Sequence, residues 1–210
     1  MNLCNIGAVS LNLPLIWRVA EYEHPEAVKQ HFYKLLDKNL EIVRNFLKRR
    51  YEVLKDTVCS TNPLAFTQGG LYKGFKRPDE KIGDLVQYMT ASFGITALNE
   101  LTEYAYGHGI YQSNVFAKEV VEHIYNKVQS YKQEDGYLYA LYGTPAESLG
   151  GKQAEQLRKY LDDIGEHEKA YNVPLYFSNS FHCHVSEEIN PFQKQDAEFD
   201  LFHMIEGKLI

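Results

Sequence analysis

Residues 137–148 read YLYALYGTPAES, and the order of residue types in this stretch decides the fold class. Tyr137 to Tyr142 is an aromatic and apolar run, the composition of a strand inside a sheet. Gly143 ends it. Thr144 is a good helix N-cap, and Pro145 falls at the first helical position, where a missing N–H costs nothing. Glu147 falls at the third helical position, which completes a Thr-x-x-Glu capping box. A helix should therefore begin just past the C-terminal end of a strand, and that unit builds parallel α/β sheets.

Working outward, the alternation repeats. Residues 6–13, IGAVSLNL, mix β-branched and small residues and stop at Pro14, the pattern of a short buried strand. A long helix follows, with Pro25 in its first turn and Val28, Phe32, Leu36, Leu40, Val43 and Leu47 at helical spacing. Lys48, Arg49 and Arg50 lie near its C-terminal end, where the dipole favours cations, and read as a solvated helix end. Residues 57–83 are punctuated by Asn62-Pro63, Gly69-Gly70, Gly74, Pro78 and Gly83 and read as a long irregular loop of the functional kind. Helical character resumes over 84–105, with Ser92-Phe93-Gly94 as a turn ahead of Leu98, Leu101 and Ala105. Ser113 is the expected N-cap of a helix over 114–133, and Asp135-Gly136 a turn. Beyond the quoted stretch come a helix to about Leu161, short strands over 173–177 and 179–185, and a helix from Pro191 to Met204. Lys208-Leu209-Ile210 has the look of another strand beginning. One α/β domain over the 210 residues is the expectation.

Composition narrows the function classes. A net charge of −6 and a pI near 5.8 argue against a broad nucleic-acid surface, while leaving room for a local phosphate site. Three scattered cysteines, Cys4, Cys59 and Cys183, fit a reducing compartment, and no CxxC pair marks a zinc knuckle. No secretory signal pattern and no run of about 18 apolar residues is present, so a cytoplasmic chain without a membrane partner is expected. The 16 tyrosines read as packing at half-buried positions.

The turn at Gly143–Ser148 is the leading candidate for chemistry. Free N–H groups and the positive dipole end at a helix N-terminus favour an anion, and ligands of α/β sheets gather at the C-terminal edge of the strands. Two readings follow from the spacing: an external phosphate, or a plain cap in which Glu147 fills the anionic role. Gly150-Gly151-Lys152 lacks the order and spacing of a P-loop. In Phe181-His182-Cys183-His184-Val185, a strand would put His182 and His184 on one face and Cys183 on the other. Such a face is either packed or exposed, or offers two of the ligands a metal needs. Cys59 has no His or Asp at a spacing that would activate it, and reads as structural. His108, between Gly107 and Gly109, and Glu187-Glu188 read as turn residues.

Five runs, in order, carry more than their local patterns: NIGAVSLNLP (5–14), NPLAFTQGG (62–70), TASFGITALNEL (90–101), YGTPAESL (142–149) and SNSFHCHV (178–185). Together they resemble the large subunit of the anaerobic, glycyl-radical ribonucleotide reductases, in a central-to-late portion. The resemblance implies part of a ten-stranded α/β barrel built from two half-barrels, here about one half-barrel with its surrounding helices. It implies a ribonucleoside triphosphate as substrate, with Gly143, Thr144, Ala146, Glu147 and Ser148 holding its phosphates. Asn12 corresponds to an active-site strand position from which it could contact a ribose hydroxyl. His182 and His184 correspond to positions facing the active site, without an assigned step. In that family a glycyl radical, installed by a radical-SAM activase, generates a cysteine thiyl, and formate commonly supplies the electrons. The Gly-Cys-Arg context of the thiyl, the glycyl loop and the four-cysteine zinc site are not among these residues, so none of those cofactors is expected in this chain. The expectations are therefore no turnover by this polypeptide alone, and either a complementary reductase chain or self-association. A non-catalytic nucleotide-binding remnant is the alternative.

Overall fold

Three parallel strands, β1 (Asn5–Asn12), β2 (Thr90–Thr96) and β3 (Leu138–Gly143), form a sheet in the order β1-β2-β3. The molecule is described by a computed structural model over residues 5–68, 75–145 and 147–205. Cys4, Gly69-Gly70, Gly74, Ala146, the Glu147 side chain and Lys208-Leu209-Ile210 lie outside the described residues. Helices α1 (Leu13–Glu23) and α2 (Val28–Asp56) lead from β1 towards β2, and α3 (Leu98–Tyr106) and α4 (Val115–Asp135) join β2 to β3. Helices α5 (Glu147–Asp163), α6 (His167–Tyr171) and α7 (Pro191–Met204) follow β3. The described sheet is a small α/β sheet of three strands, without a closed barrel.

The sheet has two unlike faces because side chains alternate along each strand. Phe93, Ile95, Tyr139 and Leu141 join one core with Phe32, Leu36, Leu40 and Leu47 of α2 and Val120, Ile124 and Val128 of α4. Each such apolar side chain contributes about 1.5–3 kcal/mol when taken out of water. The opposite face carries Ser10 and Asn12, then Ser92, Gly94 and Thr96, then Ala140 and Tyr142, in register Ser10↔Gly94↔Tyr142. A second cluster, Ala97, Ala154, Leu157, Leu161, Ala170, Val173 and Phe177, seats α5 and α6 against the start of α3.

Three expectations from the pattern fail, each for a physical reason, and one helix was not expected. Pro14 follows the end of β1. It enters α1 directly, with Asn12 as N-cap accepting from the Leu15 N–H, and Leu13, Ile16, Trp17 and Ala20 form the buried stripe. The turn expected at Ser92-Phe93-Gly94 is the middle of the central strand, buried from Ala91 to Thr96. A central parallel strand lacks the in-out alternation of hydrophobicity that marks a half-exposed one. The stretches 173–177 and 179–185 are not strands but turns and irregular chain. Helix α4 is capped at Asn114 rather than Ser113, without a side-chain bond, and runs on to Asp135.

Lys48, expected in solvent, belongs to an ion network at the opposite end of the sheet. Asp135, the last residue of α4, accepts from Arg44 Nε and Nη2 at 2.8 and 2.7 Å, from Lys48 Nζ at 2.9 Å and from the Tyr139 hydroxyl at 3.1 Å. Gly136 then turns in the left-handed region at φ 69°, and β3 begins. The Arg44 bonds, which outweigh burial, hold the Asp135 carboxyl down at about 2. A depressed carboxylate stabilises the fold above its unfolded value and loses that contribution as pH falls through the folded one. Asp135→Ala should cost about 2 kcal/mol in urea denaturation at neutral pH, because it removes the carboxylate shared by Arg44 and Lys48 and leaves Arg44 with Glu134 and Glu41. Wild-type stability should also fall between about pH 4 and pH 2 more steeply than that of the variant. Parallel pH curves would show that Asp135 is not the group that titrates.

Candidate functional site at the strand ends

The three parallel strands end side by side, at Asn12, Thr96 and Gly143. Polar side chains concentrate there. The Ser10 and Thr144 hydroxyls meet at 2.7 Å across β2. They can do so because the residue between them is Gly94, where a Cβ would overlap both hydroxyl oxygens. The Thr96 hydroxyl lies 2.6 Å from Gln153 Oε1 and 3.0 Å from the Leu11 carbonyl, and Gln153 Nε2 donates to the same carbonyl at 3.3 Å. Asn12 Oδ1 caps α1, while its Nδ2 donates to the Gln153 carbonyl at 3.0 Å and to Gln156 Oε1 at 3.3 Å. The start of α5 is thus tied to β1 and β2 by side-chain bonds as well as by the short joint from β3.

A wall stands over this edge. Residues 176–181 run past Gly143 and past the first turn of α5. A Cβ on Gly143 would overlap the Ser180 hydroxyl and approach the Phe181 ring, and one on Gly150 would lie 2.8 Å from the Phe177 carbonyl oxygen. One on Gly151 would lie 2.8 Å from the Tyr176 ring. The Phe177 N–H donates back to the Gly150 carbonyl at 3.4 Å. Glycine at 143 and 150 is therefore a demand for room by a passing chain, which no local motif announces. Ser180 takes φ 56°, in the left-handed region, as does Ala97 at φ 57°. Strained non-glycine residues of this kind cluster at functional sites.

The expected site residues distribute as follows. Gly143 ends β3 at this edge and Thr144 follows it, both buried, and Glu147 and Ser148 open α5, Ser148 with an exposed side chain. Asn12 lies at the same edge. His182 and His184 do not share a strand face. His182 Nδ1 pairs with Glu198 Oε2 at 2.9 Å and lines a cavity of about 330 Å³ with Lys194, Phe199 and His203 of α7. His184 Nδ1 lies 2.6 Å from the Ser186 hydroxyl and lines a different cavity of about 250 Å³ with Tyr176, Ser178 and Asn179. Among the described residues no group of three His, Cys, Asp or Glu is placed to hold a metal ion. Ser10, Thr96, Gln153 and Ser180 went unnoticed because single hydroxyls and amides scattered over 170 residues carry no spacing signal.

Charge at the site is set by burial and partners. Burial raises the Glu198 carboxyl, but His182 and the Cys183 N–H outweigh it and the net shift is downward, so the pair is held as acceptor and donor. Burial first, and then Glu198, pushes the Cys183 thiol up to about 11. Burial also raises Cys59. Both described thiols are therefore protonated near neutral pH, the state of packing cysteines rather than nucleophiles. No helix among the described residues is long and apolar enough to cross a membrane.

Comparison with known proteins bears on the family and the fold. The family model described as anaerobic ribonucleoside-triphosphate reductase matches residues 1–210. The enzyme of that name from Haemophilus influenzae is 28% identical over 98% of this chain and 28% of its own length. That from Escherichia coli is 30% identical over 92% of this chain and 27% of its own. The crystal structure of the Thermotoga maritima anaerobic ribonucleotide reductase with citrate in the active site superposes with a TM-score of 0.69 at 15% identity, covering 97% of this chain and 34% of that one. The same enzyme in complex with dATP and CTP gives 0.69 at 14% identity, over 98% of this chain and 31% of that one. The chain spans about 28% of the length of the curated relatives it matches.

Gly150 and Gly151 make a matched pair for testing the wall. Alanine gains about 1 kcal/mol of helix propensity at either position. At 150 that gain is opposed by a backbone carbonyl, an overpacking cost of about 1–3 kcal/mol. At 151 only a ring that can swing aside opposes it. Chemical denaturation should therefore find Gly150→Ala less stable than wild type and Gly151→Ala as stable or more so. The reverse order would mean that residues 176–178 do not run where they are placed.

Proposed function

As a member of the anaerobic ribonucleoside-triphosphate reductase family, this chain, we propose, is one domain of such an enzyme's catalytic α/β barrel, and its Gly143–Ser148 turn holds the phosphates of a ribonucleoside triphosphate. One observation carries the reading. The 17-residue helix α5 opens within a few residues of the end of β3, at the C-terminal edge of a parallel sheet, and Thr144 is held there by Ser10 across Gly94. The unpaired N–H groups and dipole of such a helix favour an anion. Thr144 and Ser148 add hydroxyl donors, and Gly143 gives room to Ser180 and Phe181 beside them. Ala146 and Glu147, which the family resemblance adds to the turn, belong to the same proposal. Asn12 is the ribose contact in this reading. Its Oδ1 caps α1, but a carbonyl oxygen accepts two hydrogen bonds, so the same atom can take a ribose hydroxyl. His182 and His184 follow the wall in the chain and line two different cavities.

The chemistry of the whole enzyme belongs to this proposal. The family's glycyl radical, once installed by its activase, supplies hydrogen abstraction through a cysteine thiyl, with formate as reductant. Cys59 and Cys183 are buried, protonated thiols outside the strand-end group and do not fit that thiyl, so no radical step is derived from them. What these residues do is bind and orient. A polypeptide of these residues alone would therefore hold a nucleotide without reducing it, and a chain carrying the remaining segments would restore the reaction. The second reading, a self-associating nucleotide binder, is favoured by one feature. β1 and β3 are both edges of the described sheet, and open parallel edges invite pairing.

Calorimetric titration with CTP should give saturable binding, weakened about tenfold or more by Thr144→Val combined with Ser148→Ala, as the loss of one or two bonds to a charged group requires. Unchanged affinity in the double variant would remove the phosphate reading. Mixing with complementary segments of a relative, under anaerobic activation, should yield formate-dependent deoxynucleotide. Binding that survives without any such product would favour the second reading.

A further inference from the structure

Helix α3 begins in an unusual way. Its N-cap, Ala97, is left-handed and has no side chain that can cap. The amides at this end are instead taken by the wall: the Ala97 N–H donates to the Ser178 carbonyl at 3.1 Å and the Leu98 N–H to the Ser180 carbonyl at 3.3 Å. Glu100 stands at the third helical position, from which a capping-box glutamate turns back to its own N-cap N–H. Here it does something else. Its Oε1 accepts the Ser178 N–H, so the Ser178 peptide is gripped at both its N–H and its C=O. Glu100 is only 2% exposed, and its second oxygen has no partner among the described residues. Two residues on, Ser180 is held left-handed with its hydroxyl against the Cα of Gly143.

We propose that Glu100 is a positioning residue for the phosphate turn: by gripping Ser178 it fixes Ser180 and Phe181 against Gly143, and so sets the path by which the chain leaves β3 for that turn. The inference rests on the reading of that turn as a triphosphate site. A buried carboxyl whose second oxygen is unmatched is a costly way to hold a loop. Burial raises its protonation range, Glu103 on the same helix adds to that, and the Ser178 N–H opposes it. From α1 the Arg18 guanidinium lies over the Tyr104 ring at 4.3 Å and faces the same region. Glutamine keeps the acceptor for Ser178 without the charge, whereas alanine removes the grip, and the two variants separate position from charge.

The test uses the 210-residue chain and CTP as probe. Glu100→Ala should weaken CTP binding about tenfold, a loss the size of one charge-assisted hydrogen bond, and should speed amide exchange at Ser178, Ala97 and Leu98 while leaving Leu141 of β3 protected. Glu100→Gln should retain binding within about threefold. A general loss of stability would not give this rescue, nor confine faster exchange to the clamp. Should Glu100→Ala fail to fold, Glu100→Asp, which draws the carboxylate back by one methylene, must show the same loss. Wild-type affinity in Glu100→Ala or Glu100→Asp, with the Thr144→Val/Ser148→Ala variant still impaired, overturns the role of Glu100 alone. An unimpaired Thr144→Val/Ser148→Ala variant overturns the phosphate turn and this inference together.

Discussion

The central strand β2 bonds to a neighbour on each side and is buried along nearly its whole length, so its polar backbone has nowhere to turn but to β1 and β3. That pairing is parallel on both sides. Parallel pairing obliges the chain to cross back outside the sheet after each strand, and it leaves all three strand ends along one edge. Helices α2 and α4 cover the apolar face because those crossings need long elements with an apolar stripe. The other face is left to Ser10, Ser92, Gly94, Thr96 and Ala140, residues too small and polar to make a second full core. Fold and site are in this sense one arrangement: the pairing that buries Phe93 and Ile95 also lines up Asn12, Thr96 and Gly143.

Much of this was legible in the residues. The strand–turn–helix unit around Gly143 was readable because its signals are local, although α5 opens at Glu147 rather than at Pro145 and the Thr144 hydroxyl is shared with Ser10. Helices α2, α4 and α7 were readable from spacing or from a proline start. β2 was not, because Thr90 to Thr96 has neither the alternation of a half-exposed strand nor the bulk expected of a core one. Glycine and serine in it look like a turn until the neighbours on the polar face are known. Helix α1 was hidden by a proline that serves equally as a stop and as a start. The histidines were misplaced for the same reason in reverse, since Phe181 to Val185 has strand-like residues, but Phe181, His182 and Cys183 lie against α7 rather than beside a strand partner.

The candidate site divides along the same line. Gly143, Thr144 and Ser148 lie within one local motif and could be named from it. Ser10, Gln153, Glu100 and Ser180 take part through contacts that join residues 57 to 142 positions apart, or through a backbone conformation, and these exist only in the folded chain. The family resemblance recovered some of this indirectly, since its five runs coincide with β1, the 62–70 segment, β2, the turn and the wall. Four of those five runs, all but 62–70, meet at the strand ends, which is why they read as a set.

Ser180 carries one more implication. A serine at φ 56° bears a steric penalty that glycine at the same place would not. Exchanging it for glycine would relieve the backbone, though it would also remove the hydroxyl from Gly143 and give the wall more freedom in the unfolded chain. The position therefore marks a local conflict between stability and precision. In engineering terms, a search for thermostable variants would be drawn to residue 180 early, and the variants it kept there would be the ones to check first for a blurred site.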